Sequence, residues 1–561
     1  MDQETTHQRR WAILGVLVLC LLVVILDNTI LNVALKTIQN DLEASQSEMQ
    51  WAVDSYLLVF AGLLITWGVL GDRLGRKRIL VTCMVLFGAM SAVCSFADSS
   101  GQLIAFRALM GIGAAAVQPQ TLSIIQNVFE PRERAKAIGI WAGASGVAIA
   151  LGPVTGGLLL KYFWWGSIFL VNVPIVIAAL AGIVILVPES KNPAPGRLDP
   201  FGVLLSIVAL VVLVYGVIEG GNRNDWLAWN SLGAIVLGAA LLGIFVWTQA
   251  RSAHPTIDVS LFRNRQFSSG AFAIAMTFFA LQGSTFYLAY YMQAIRGYSP
   301  LLAGTALVAV AGAVMMSAPL SAKLSAKFGS RVVTGAGLMI FGLALASYSL
   351  ATQTMPVWVI ELVLVGFGLG MGLTMTPATD AIMSAVPREK SGAGSAVNNT
   401  VRQVAGALGV AILGSIVAVV FRNHLGSSTP ADVAARLDRP AAVVAQLPSS
   451  ERVTPLVTND TSQSIGNALT FAGQAGGALQ ARAGSVPPAQ AAQQAPRART
   501  ELPGFVASSK SSFMSAMRVT SLFAALAAIL GALVAFRFLP ARRAEEPMVP
   551  QAADVPAKAV A

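Results

Sequence analysis

The chain is expected to fold as an all-α polytopic membrane protein with fourteen transmembrane helices. Three observations predict this. Of its 561 residues, 55% are hydrophobic and only 12% charged, and the mean hydropathy is +0.67; soluble chains carry about 25% charged residues. Apolar runs of about 20 residues, long enough to cross a bilayer as helices, recur at 11–33, 51–71, 79–97, 103–126, 137–160, 167–187, 201–219, 231–250, 267–291, 301–322, 332–351, 356–380, 395–421 and 515–539. Alternating the intervening loops between two sides then sorts the basic residues by side.

That sorting orients the chain. With the N-terminus inside, twenty-three of the 38 Lys and Arg fall on the inner side and four on the short outer loops. This is the asymmetry of the positive-inside rule. It implies a bacterial plasma-membrane protein with both termini cytoplasmic. It also explains the net charge of +11 as a membrane-face property, not a nucleic-acid footprint. Arg9 and Arg10 precede the first apolar run without a small-residue cleavage site, so that run reads as an uncleaved helix. Cys20, Cys83 and Cys94 all lie in apolar runs and read as buried small hydrophobes.

The helices group into two halves. The loop after helix 2 reads "GDRLGRKRIL" and the loop after helix 10 reads "SAKLSAKFGSRVV". Aligning Gly75 with Gly329 places Arg73 on Lys327 and Lys77 on Arg331. Duplicated halves are a common transporter plan. The expected organisation is an N-terminal six-helix half (1–187), a cytoplasmic linker (188–200), two inserted helices (201–250), a C-terminal six-helix half (251–421 with 515–539), a long extracytoplasmic loop (422–514) and a cytoplasmic tail (540–561). Within that loop "SVPPAQAAQQAPRART" reads as disordered, and "SQSIGNALTFAGQAGGALQARA" has helical character.

The segment "GVLGDRLGRKRIL" (68–80) carries the strongest motif. Gly75 permits a tight turn. Arg73, Arg76, Lys77 and Arg78 suit anionic lipid heads, and Asp72 suits a neighbouring helix N-terminus, whose dipole favours an anion. The full spacing resembles the signature loop of the major facilitator superfamily. That resemblance implies the major-facilitator fold, two six-helix halves plus two inserted helices. It also implies that Asp72 latches an inner gate against the start of helix 13 near Ser391–Gly394. Ala326 stands in the second copy where the first has Asp72, so the latch is expected to be one-sided.

Further stretches narrow the resemblance. "LDNTILNVAL", "LIAFRALMGIGAAAVQP" and "GIWAGASGVAIALGPVTGG" resemble the drug:proton antiporters, and fourteen helices point to their larger branch. "WAVDSYLLV" and "FWWGSIFLVNVP" are most similar to the quaternary-ammonium and methyl-viologen resistance exporters. Lys36, Met110 and Ala148 depart from the pattern, which usually has proline, glutamine and glycine there. Gly143, Gly152 and Gly156, with Pro153, give helix 5 small-residue contacts and a bend. The resemblance makes that a moving contact between the halves.

Ionisable residues inside helices mark the chemistry, since a mid-helix charge costs roughly 2.5–3.5 kcal/mol on insertion scales. His7, His254 and His424 all fall in loops or tails, so proton coupling must rest on carboxylates. The candidates are Asp27, Asp54, Glu219, Glu361 and Asp380. Asp27 lies about 24 Å along helix 1 at about 1.5 Å per residue, level with Asp54 and Arg107 near the outer ends of helices 2 and 4. Asp27, Asn28 and Asn32 form one polar wedge on helix 1. Asp27, Asp54 and Arg107 are therefore the expected proton-coupling set. Asp27, Asn28, Asn32, Asp54, Gln282 and Tyr287 are the expected substrate contacts, the last two on helix 9 in a run rich in aromatics. Asp72, Arg73, Gly75, Arg76, Gly143, Gly152, Pro153, Gly156, Asp380 and Arg402 are the expected gate residues. For Arg402 either an ion pair with Asp380 or snorkelling to the interface fits.

These readings converge on a proton-driven efflux antiporter for lipophilic, cationic drugs, working by alternating access as a monomer in contact with membrane lipids. An exporter of one antibiotic or of a lipid-linked substrate reads alike. A nutrient symporter and a membrane sensor fit less well. No Walker loop, HExxH or paired Cys/His metal spacing is present, so no metal, cofactor or enzymatic chemistry is expected.

Overall fold

A computed structural model describes residues 3–541 apart from 45, 194–198, 224–227, 253–254, 256–257, 299 and 426–487. Its helices are α1 (Gln3–Asp41), α2 (Gln46–Leu74), α3 (Arg76–Cys94), α4 (Ser100–Val128), α5 (Pro131–Tyr162), α6 (Ser167–Leu186, broken at Val171), α7 (Pro200–Arg223), α8 (Trp229–Arg251), α9 (Arg265–Tyr290), α10 (Pro300–Phe328), α11 (Ser330–Ser347), α12 (Val357–Ser384), α13 (Ser391–Leu425) and α14 (Pro488–Phe538). An all-helical build is what a bilayer demands, because each helix satisfies its own backbone hydrogen bonds. Among the described residues, twelve of these helices have a continuous apolar stretch of spanning length. Parts of α5 and α9 lie outside the described side chains.

Local chemistry sets the ends. Ser99 caps α4, its Oγ accepting from Gln102 N at 3.4 Å. Asn264 caps α9, its Oδ1 accepting from the backbone N–H groups of Gln266 (2.9 Å) and Phe267 (3.4 Å). Pro131 opens α5, where its missing N–H costs nothing. The tight turns into α3 and α11 use Gly75 and Gly329, with φ of 113° and 84°. These are the two glycines that the loop repeat aligns.

The repeat extends to the packing. In the first half α1 packs on α5 and α6, α4 on α2 and α3, and α3 on α6. In the second half α9 packs on α13 and α14, α12 on α10 and α11, and α11 on α14. Every pair recurs eight helices later. The repeat partners α4 and α12 also each hold an internal proline, Pro119 and Pro377. The halves meet through α2 against α13 and α5 against α10, two contacts that are again counterparts. Small residues set the inward faces. On α14, Ala524, Ala525, Ala528, Ala532 and Ala535 are buried, while Leu522, Leu526, Leu530 and Leu533 are exposed along the opposite stripe, where lipid belongs.

Two features differ from expectation. Helix α14 begins at Pro488, well before the expected 515, so the last part of the anticipated loop is helical. Its Ala, Gln and Arg are strong helix formers, and that propensity outweighs the disorder its Pro-rich composition suggested. The rest of the loop, including the stretch with helical character, lies outside the described residues. The inserted pair α7–α8 also does more than add two passes. Helix α7 packs on both α2 and α13, bridging the seam between the halves.

Close packing at one glycine gives a test. A Cβ on Gly113 would lie 2.5 Å from Cys83 O and 2.8 Å from Phe87 N, backbone atoms of α3 that cannot swing aside. At Gly101 nothing lies within 4 Å. Gly113→Leu should destabilise the folded protein by about 1–3 kcal/mol or more and lower the melting midpoint, whereas Gly101→Ala should leave it unchanged or slightly raised. Thermal unfolding of the two purified variants checks both.

Candidate functional site

An ion pair lies at the centre of the first half. Asp27 of α1 and Arg107 of α4 are both fully buried, with Nη1 2.6 Å from Oδ2. Asn172 of α6 donates to the other carboxylate oxygen at 3.0 Å and to Ser91 Oγ of α3 at 3.1 Å. The Ser91 hydroxyl in turn donates to Phe169 O at 2.8 Å. Arg107 Nε donates to Ala52 O of α2 at 3.3 Å, and its guanidinium stands 4.3 Å from the Tyr56 ring centroid. Arg107 Nη2 has no hydrogen-bond partner among the described residues. Such a pair is stable only while its remaining donors and acceptors are filled, and removing one partner costs about 3–5 kcal/mol.

A second cluster joins the halves at the end of the bundle that carries the α2–α3 turn. Asp72 accepts from Gly392 N at 2.8 Å and Ala393 N at 2.9 Å, so it occupies the N-terminus of α13. Arg76 donates to Asp72 Oδ1 from Nε (2.9 Å) and Nη2 (2.5 Å), and reaches Arg388 O and Glu389 O beyond the seam at 3.1 and 3.2 Å. A Cβ on Gly392 would sit 2.5 Å from Asp72 Oδ1, so only glycine leaves room for this contact. Helix α4 adds three residues. Gln126 donates to Met383 O (2.5 Å) and Val386 O (3.1 Å), the Ser123 and Ser391 hydroxyls are 2.6 Å apart, and Asn127 donates to Ser391 Oγ at 3.0 Å. Glu189 of the linker accepts from Lys77 N and Arg78 N, capping α3. At the surface of this end Asp258 is held below the usual carboxylate range, first by the Ser260 hydroxyl and then by Lys390 Nζ 3.3 Å away.

The fold agrees with the comparisons. The Major Facilitator Superfamily profile matches residues 17–410. The chain belongs to the major facilitator superfamily. It is 36% identical over 454 residues to the multidrug efflux pump LfrA of Mycolicibacterium smegmatis, covering 79% of this chain and 89% of that one. It is 34% identical to the methyl viologen resistance protein SmvA of Salmonella typhimurium (74% and 83% covered) and 32% identical to the tetracenomycin C resistance and export protein of Streptomyces glaucescens (73% and 76%). Among solved structures, the human organic anion transporter MFSD10 and the proton:xylose symporter XylE each align with a TM-score of 0.52 at 15% identity, covering 74% and 71% of this chain and 94% and 87% of those chains. These two speak for the fold alone.

Other anticipated residues of this facilitator fall in several places. Asp54 is buried on α2 one turn before Leu58, and Asn28 is half-buried. The Asn32 and Pro153 side chains lie outside the described ones. Gln282 and Glu361 are exposed, and Arg73 is half-buried. Tyr287, an expected substrate contact, lies inside the second half. It is fully buried, accepts from Ser521 of α14 at 3.2 Å and packs with Tyr348 and Phe421 inside the second half. The helix 5 glycines divide. Gly143 faces Met315 of α10 across the seam, whereas Gly152 and Gly156 press against Thr29 and Ile30 of α1 in their own half. Asp380 is buried, but Arg402 does not pair with it. Arg402 Nη2 instead donates to Thr379 Oγ1 at 2.8 Å.

Sequence reasoning missed Asn172, Ser91, Gln126 and Ser123. Both runs carried a signal: Asn172 is a lone amide in "FLVNVP", and Gln126 and Asn127 are adjacent amides in "SIIQNV".

The Ser123–Ser391 contact supplies a test. The three native cysteines are buried, so Ser123→Cys with Ser391→Cys should form one disulfide on mild oxidation, fixing the halves together at this end. Transport should stop on oxidation and return on reduction, read by vesicle flux and by mobility on non-reducing gels. Flux that persists in the oxidised protein would mean that this contact need not open.

Proposed function

We propose that this chain is a proton-coupled multidrug efflux antiporter that exchanges lipophilic compounds for protons by alternating access. The single observation that carries the reading is the buried Asp27–Arg107 pair, held within a half-transporter whose curated relatives are drug-resistance pumps. A proton on Asp27 cancels one side of the pair and releases Arg107. Conversely, Asp27 binds a proton more readily once Arg107 has moved away, because a nearby cation favours the ionised carboxylate. Coupling then follows if the two groups approach and separate as the halves rock. Asp54 is the second candidate for the proton.

The basic end, with the Asp72–Arg76 latch, faces the cytoplasm in this reading, as the positive-inside rule requires. The arrangement corresponds to a state closed toward the cell interior, with Asp72 released from α13 in the opposite state. Both termini are then cytoplasmic, the two halves and inserted hairpin are divided as the sequence suggests, and the monomer works among lipids with no cofactor. Export of a single antibiotic is a second reading. It is favoured by the likeness to the tetracenomycin C resistance and export protein.

The test is transport in proteoliposomes under an imposed pH gradient. Asp27→Asn should lower gradient-driven ethidium exchange at least about tenfold, the effect of losing a charge-assisted contact worth about 1.5–3 kcal/mol, and Asp54→Asn should lower it less. Exchange by Asp27→Asn that stays fully pH-driven would exclude Asp27 as the proton carrier.

A further inference from the structure

A polar track climbs one face of α13 from the latch. Ser391, Ser395, Asn398, Asn399 and Arg402 recur at three- and four-residue spacing and so share that face. The track spans roughly 17 Å at about 1.5 Å per residue. At its foot Ser391 is tied to Ser123 and Asn127. Higher up, Asn399 Nδ2 donates to Ser395 O at 3.0 Å, but other polar atoms lack partners among the described residues. Ser395 Oγ, both amide atoms of Asn398, Asn399 Oδ1 and Arg402 Nε are buried without a hydrogen bond among the described residues.

Arg402 is the distinctive member. It is 8% exposed, so it is nearly enclosed but not sealed. Its guanidinium lies 5.3 Å from the Phe278 ring of α9 and 5.7 Å from the Trp141 ring of α5. Among the described residues it donates to the neutral Thr379 hydroxyl, and no carboxylate reaches it. Trp141 is itself anchored, its Nε1 donating to Thr121 Oγ1 at 3.1 Å. The surroundings thus come from both halves, α4 and α5 on one side and α9, α12 and α13 on the other. Two buried charges of the first half are matched by charge, Asp27 with Arg107 and Asp72 with Arg76. An enclosed cation with no anion, flanked by aromatic rings and an unsatisfied amide at the seam, has the composition of half a binding site.

We propose that Arg402 and Asn398 receive an acidic oxygen of the exported molecule, with Trp141 and Phe278 against its ring system. The substrate class is then aromatic compounds bearing a carboxylate or an ionised phenol or enol. This deepens the export reading and rests on it, but it reverses the expected substrate charge. The carboxylate of Asp27 is already matched within the protein, whereas among the described residues Arg402 meets no carboxylate.

The test uses the purified full-length chain in nanodiscs, titrated with fluorescein, an aromatic carboxylate and phenolate, and with ethidium, an aromatic cation, alongside vesicle export of both dyes. Arg402→Gln should weaken fluorescein binding about tenfold or more and tighten ethidium binding, because a repelling charge is gone. Arg402→Lys should fall between wild type and Arg402→Gln for both dyes. Asn398→Leu, an independent arm should Arg402→Gln not fold, should also weaken fluorescein. Parallel weakening of both dyes would indicate a structural role and overturn the proposal, as would fluorescein binding that Arg402→Gln leaves untouched. Wild-type protein that exports ethidium but neither binds nor exports fluorescein would overturn this inference and leave the export reading standing. Wild-type protein that binds fluorescein but exports neither dye would overturn the multidrug reading, and protein that neither binds nor exports it would overturn this inference as well.

Discussion

A carboxylate and a guanidinium placed where water cannot reach them constrain everything around them. Asp27 and Arg107 are stable only because each of their neighbours supplies a fitted group: the Asn172 amide, the Ala52 carbonyl, the Tyr56 ring and, behind Asn172, the Ser91 hydroxyl. Together with the pair itself, those groups come from five of the six passes of the first half. The energetic penalty of an unmatched buried charge therefore fixes the rotation of α1, α2, α3, α4 and α6 about their axes far more tightly than apolar packing would. A proton added to Asp27 would change the charge balance at the centre of that half.

The second half repeats the backbone plan without repeating this chemistry. Its helices pack in the same pairs, and its turn at Gly329 has the same left-handed conformation as Gly75. Yet among the described residues its buried Arg402 meets no carboxylate, and Ala326 leaves its turn without the anchoring carboxylate that Asp72 supplies in the first half. Duplication thus conserved the contacts that small residues make and divided the charges. One half holds a closed ion pair and the latching anion. The other holds the cation left open at the seam.

The seam itself is held in a reversible manner. At the basic end its strongest contacts are backbone N–H groups of a helix start and carbonyl groups of a helix end, reached by Asp72, Arg76 and Gln126. Such groups are solvated readily when exposed, so separating them costs less than opening an apolar core. The inserted hairpin lies across the same seam through α7, which gives two extra passes a mechanical position even though they add nothing to the buried charges.

The sequence alone determined the all-helical class, the order of the apolar runs, the facilitator motif and Asp27 and Arg107 as charges inside helices. Each of these follows from local pattern, namely run length, the spacing of "GVLGDRLGRKRIL" and the rarity of charge in a membrane helix. It also placed Asp27 and Arg107 at one depth, because rise per residue is a property of the helix itself. Tertiary structure decided which side chains meet. Asn172 reaches Asp27 from a helix 145 residues away. Arg402 turns to Thr379 and not to its neighbour Asp380, because of how α12 and α13 are rotated against each other. Two glycines of one helix 5 motif face α1 while another faces α10. Contacts of this kind depend on the rotation and separation of packed helices, and no periodicity within one helix encodes either.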